Sequence, residues 1–187
     1  PFCTSNTAAQ NPTITGISGG IFSSAAGLTI TGSGAITPST STAGTYTVTY
    51  DIAAANGCAA FQTTTSVVIT EAPTATISYA TPFCANSGLQ AVTATGTTGG
   101  TYSSAVGLSI NATTGEIDPS ASTAGTYTVS YAIAAASGCS AFTASTLVSV
   151  TASPTATISY GTPFCTSNTA AQNPTITGIS GGIFSSA

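Results

Sequence analysis

The chain has 187 residues, only 2% of them charged, with no Lys, Arg or His and a formal net charge of −4. Without cations it cannot displace phosphate counterions or hold an anionic membrane surface, which excludes a nucleic-acid partner and a polybasic membrane contact. Without His or Lys it lacks the usual acid–base groups, and neither a Ser-His-Asp nor a Cys-His site can be assembled, so no enzyme and no cofactor is expected.

In chain order, Pro1-Phe2-Cys3 opens the sequence, and the first strong periodicity follows at Thr45–Ile52. There Tyr46, Val48, Tyr50 and Ile52 share one face and Thr45, Thr47 and Thr49 the other. This period of two predicts a strand with one face to a core and one to water. Val67 and Ile69 mark the inward face of a closing strand. Ala75, Ile77 and Tyr79 alternate with Thr74, Thr76 and Ser78 in an opening strand. Tyr127, Val129, Tyr131 and Ile133 then repeat the first pattern, and Val148 and Val150 repeat the closing one. Gly99-Gly100, Thr114-Gly115, Ala124-Gly125 and Ser137-Gly138 supply turns between them. No segment sustains a helical period. Thr, β-branched and abundant, suits a half-exposed pleated surface, so a hydroxyl-coated outer face replaces the usual charged one.

The chain repeats itself. Pro1-Phe2-Cys3 recurs as Pro82-Phe83-Cys84 and Pro163-Phe164-Cys165, at a step of 81 residues. Cys58 recurs as Cys139, and Pro73–Tyr79 as Pro154–Tyr160, at the same step. Residues 163–187 repeat residues 1–25 without a change, at a step of 162, so two module types alternate. The expected division is a module lacking its first strand at 1–72, a complete module at 73–153, and the start of a third at 154–187. About seven short strands per module fit an antiparallel β-sandwich. The chain begins mid-repeat, so targeting segments would lie outside it. No apolar run approaches the ~20 residues of a membrane-spanning helix.

Five cysteines, Cys3, Cys58, Cys84, Cys139 and Cys165, without a CxxC pair or His, point to disulfides rather than zinc, and so to an oxidising, extracellular setting. The spacing favours one disulfide per module, Cys3 with Cys58 and Cys84 with Cys139, leaving Cys165 for a partner outside the chain. The competing pairing, Cys58 with Cys84, would staple neighbouring modules.

Pro82-Phe83-Cys84, Gly99-Gly100-Thr101-Tyr102, Gly107-Leu108-Ser109-Ile110, Gly125–Val129 and Gly138-Cys139 together resemble the Ig-like repeats of giant cell-surface proteins of Bacteroidota, including gliding-motility adhesins. The resemblance covers the complete module. It implies tandem Ig-like sandwiches in a long, surface-attached chain.

Glu116 and Asp118, two apart, share a strand face and are the one candidate metal pair. Calcium wants six to eight oxygen ligands, and the first module has Ala35 and Thr37 in these places, so a solvated turn is the simpler reading. The Thr45-x-Thr47-x-Thr49 row could order water on a flat face, as in ice binding, but sandwich sheets twist. Tyr46, Tyr50, Tyr127 and Tyr131 could stack on glycans, yet alternation turns them to the core. Asn111-Ala-Thr113 has the form of a glycosylation sequon. The expected function is the structural repeat region of an extracellular filament, sheath or adhesin stalk whose partners are copies of itself. The alternative is a repeated ice- or glycan-binding module. Edge strands bare of Lys can pair between copies, because little charge keeps them apart.

Overall fold

The computed structural model describes residues 1–186. It is all-β, with fourteen strands and two one-turn 3-10 helices, and no described helix is long and apolar enough to cross a membrane.

The first repeat holds β1 (Phe2–Cys3), β2 (Ile21–Ser24), β3 (Gly44–Ile52) and β4 (Phe61–Thr70), paired in the order β1-β4-β3-β2. The second holds eight strands rather than the expected seven. They are β5 (Ala75–Ser78), β6 (Phe83–Cys84), β7 (Thr93–Gly96), β8 (Thr101–Ser104), β9 (Ser109–Ile110), β10 (Ile117–Asp118), β11 (Gly125–Ile133) and β12 (Phe142–Thr151). Four of these pair as β6-β12-β11-β8, repeating the first sheet, while β5 pairs with β7 and β9 with β10. The last strands, β13 (Ala156–Ser159) and β14 (Thr175–Gly178), pair only with each other. The sheets are not purely antiparallel. β1 runs parallel to β4, Phe2 opposite Ile69, and β6 parallel to β12, Phe83 opposite Val150. Both follow proline, which has no N–H to give a ladder and so stands at the start of a short edge strand.

The period-two reading of the strands matches the burial. Val129, Tyr131, Val148 and Val150 are buried, and with Ile77, Phe83, Tyr102, Leu108 and Ile117 they form one apolar cluster drawn from β5, β6, β8, β10, β11 and β12. A fully buried Ile or Val is worth roughly 2 kcal/mol relative to an exposed one. The first repeat has a smaller buried cluster, Leu28, Ile36, Val48 and Ile69. The difference lies in what covers it. β5 packs on β12 and fills the second core, and Ile77 is 7% exposed there. No described residue occupies the corresponding place over β4. Phe142, Ala144 and Thr146 on β12 are half-buried, whereas their counterparts Phe61, Thr63 and Thr65 on β4 are exposed. They border an open groove of about 960 Å³ that is also lined by Phe2, Ile14 and Ile17.

The tips of the two long hairpins are two-residue turns. Asn56 and Gly57 have φ of 52° and 84°, and Ser137 and Gly138 have 49° and 84°. Positive φ at both central residues makes a type I′ turn, whose twist matches that of the strands it joins. The turns carry bridges from Ala55 to Cys58 and from Ala136 to Cys139, which puts one cysteine at the tip of each hairpin.

Candidate functional site

The main chemical feature is a disulfide between the repeats. Cys3, on the edge strand of the first repeat, is bonded to Cys139, at the hairpin tip of the second, with Cα atoms 4.8 Å apart. The Cys139 sulfur lies 3.4 Å from the Glu71 carbonyl oxygen, so the tip sits on the closing end of the first repeat. Gly138 is pressed against Pro1: a Cβ there would fall 2.5 Å from the Pro1 carbonyl oxygen. At Gly57, the same turn one repeat earlier, a Cβ would meet nothing within 4 Å.

This corrects the expected pairing of Cys3 with Cys58 and of Cys84 with Cys139. Within one repeat the two cysteines lie at opposite ends of a strand. Cys84 sits opposite Thr151, the last residue of β12, and Cys139 lies beyond Phe142, its first. Ten residues at about 3.3 Å each put those ends roughly 30 Å apart, whereas a disulfide requires Cα atoms within about 7 Å. The same holds for Cys3, opposite Thr70, and Cys58, beyond Phe61. The competing pairing was right in kind, since the bridge does join neighbouring repeats, but it uses Cys3 and Cys139 instead of Cys58 and Cys84. Cys58, Cys84 and Cys165 are free thiols, and Cys58 and Cys165 are exposed. The Cys84 thiol is acidified, first by the Asn86 backbone N–H and then by the Ser153 hydroxyl. Ser167 acts likewise on Cys165. A larger thiolate fraction favours disulfide exchange.

The tyrosines serve the fold. Tyr50 and Tyr131 are buried and stack on Phe22 and Tyr102, with ring centroids 4.5 and 4.6 Å apart. Each hydroxyl fastens a loop. The Tyr131 hydroxyl accepts from the Gly100 N–H at 2.8 Å and donates to the Thr97 carbonyl at 3.1 Å. Tyr50 makes the same pair of bonds with Gly20 and Ile17. Tyr46 and Tyr127, half-buried, donate to the carbonyls of Thr42 and Thr123. None of the four offers a ring face as an open platform.

Glu116 and Asp118 stand on either side of the fully buried Ile117, with Asp118 ending β10. The Asp118 carboxylate turns back on its own chain, accepting from the N–H groups of Ser120 and Ala121 and from the Ser120 hydroxyl, and so caps the 3-10 turn Pro119–Ala121. That turn, and its uncapped equivalent at Pro38–Thr40, carried no helical period to be read in the sequence. No group of three or more His, Cys, Asp or Glu residues capable of holding a metal occurs among the described residues. The Asn111 side-chain oxygen accepts from the N–H groups of Thr113 and Thr114, which folds the sequon into a tight turn.

Two ionisations give the fold a pH signature. The Ser120 hydroxyl and the backbone N–H groups of Ala121 and Ser120 hold Asp118 below the usual carboxylate range. Its contribution is present above the unfolded value of about 3.9 and is lost as pH falls through the lower folded value. Burial beside Tyr102 pushes the Tyr79 phenol up to about 12. That contribution is full below the unfolded value of about 10 and disappears as pH rises to about 12. Thermal melts across pH should show a modest acid loss that Asp118→Asn flattens and an alkaline loss that Tyr79→Phe flattens. Unchanged profiles in both variants would contradict these assignments.

No protein-family model matches the chain, and no curated protein matches it significantly.

Proposed function

We propose that the chain is a structural repeat region of an extracellular, surface-attached filament, sheath or adhesin stalk, built of Ig-like sandwich modules and without catalytic activity. The observation that carries the reading is the Cys3–Cys139 bridge, which ties one repeat to the next and not a repeat to itself. A clamp placed at a joint limits bending and separation between modules, which is the requirement of a load-bearing rod rather than of an isolated binding domain. The near absence of charge supports the same reading, because copies repel one another little. A disulfide also belongs to an oxidising compartment.

An ice- or glycan-binding role draws less support. Thr128 has Leu147 directly opposite it, 63% exposed, so the outward hydroxyl rows are interrupted by apolar side chains. Electron microscopy of native surface material should show beaded filaments with one bead per 81-residue repeat, each ~30–35 Å long from strands of nine or ten residues. Smooth solenoids, or no filaments that react with antibody to this chain, would refute the proposal.

A further inference from the structure

The Cys3–Cys139 bond sets the path along which tension crosses the two repeats. Cys139 stands at one end of a long straight segment. The pairing of β11 with β12 keeps one register from Gly125 opposite Val150 to Ile133 opposite Phe142. The bridge of Ala136 with Cys139 continues that register into the hairpin tip. From Cys139 to Thr151 the backbone is thus one run in a single register. At about 3.3 Å per residue it spans roughly 40 Å, within about a tenth of the ~3.6 Å per residue of a fully stretched chain. A pull on its two ends has almost no length to gain.

The bond delivers tension to one of those ends. Cys3 lies on the two-residue edge strand β1, and its Cα is 4.8 Å from that of Cys139. A pull arriving at Cys3 can cross the sulfur atoms or follow the backbone through the 136 residues that separate the pair. The covalent crossing is far shorter and becomes taut first. Every buried member of the two apolar clusters, apart from Val148 and Val150 on β12, lies in the loop that the bond bypasses. Both bonded cysteines are themselves buried, which keeps thiols in solution from attacking the bond.

We propose that the disulfide and β12 together form an inextensible tie, which passes tension from Cys3 to Thr151 while the remainder of the first and second repeats stays slack. Forced unfolding is governed by the unfolding rate of the unit that bears the pull. Here the two cores do not bear it. A rod tied in this way keeps its length when a repeat opens, because its reach is fixed by covalent bonds and not by the stability of small cores. The tie is a property of the single molecule. Its use as a strut of constant length rests on the filament reading.

The test is single-molecule stretching of the full chain by handles on its two ends. The chain carries Cys58→Ser, Cys84→Ser and Cys165→Ser, so that only the Cys3–Cys139 bond can form. When oxidised it should lengthen only by the residues after Thr151, about 125 Å at ~3.5 Å each. Reduction of the same molecules should add about 475 Å, the stretched length of the 136 bridged residues, in cooperative steps. Cys139→Ser should match the reduced chain without reductant. Ile117→Ala removes a buried side chain from the slack loop. It should leave the oxidised trace unchanged and move one step of the reduced trace to lower force. The oxidised and reduced parent traces can be compared without any substitution in either core. Lengthening of the oxidised chain beyond the residues after Thr151, or an oxidised trace altered by Ile117→Ala, overturns the tie. Beaded filaments on native material would still carry the structural reading in that case, and an absence of filaments would leave the tie untouched.

Discussion

Breaking the Cys3–Cys139 bridge, by reduction or by Cys139→Ser, is expected to cost about 5 kcal/mol on the chain-entropy account of a loop this long. The bonded residues are 136 apart in sequence, so the bridge restricts most of the unfolded chain. Its position decides where the loss appears. Neither apolar cluster contains the bond, so each repeat keeps its core and the coupling between them is lost. Denaturant unfolding of the oxidised chain should be a single late transition. The reduced chain should unfold earlier and in two steps, the first repeat before the second, since its core is smaller and open to the groove. Cys165→Ser, which removes a thiol outside the bridge, should leave the curve unchanged. An unaltered midpoint on reduction would show that the bridge does not hold the two repeats.

Ile117→Ala should be the most damaging core substitution. Ile117 is 0% exposed and lies in the cluster fed by six strands. Truncating a buried Ile to Ala costs about 2–5 kcal/mol, more where the surroundings cannot close on the cavity. Its counterpart Ile36 is 6% exposed in the smaller cluster and lines the open groove. Water already reaches that side, so Ile36→Ala should cost about half as much. The pair of variants, followed by chemical denaturation, separates a closed core from an open one. Equal losses would mean that the groove is not accessible in solution.

The two expectations fall on different physics, and so did their legibility. Side-chain alternation is local. A strand turns successive residues to opposite faces, so Tyr127, Val129, Tyr131 and Ile133 could be assigned inward from their spacing alone. The turn at Ser137-Gly138 and the hydroxyl-rich outer face follow from the same short-range rules. The short strands β9 and β10 and the 3-10 turn capped by Asp118 were not legible, because two or three residues carry no period. The parallel edge strands β1 and β6 were not legible either. Nothing near Phe2 or Phe83 records which end of a distant strand they will meet.

The amino-acid sequence by itself determined the all-β class, the 81-residue repeat, the inward faces of the long strands and the absence of any cationic or histidine-based chemistry. The tertiary structure alone decided which cysteines meet. Cysteine spacing recurs at the same step whether bonds lie within repeats or between them. Only the folded length of β12 shows that Cys84 and Cys139 stand at opposite ends of one strand. A disulfide forms across a few ångströms of space, and the repeat fixes distances only along the chain.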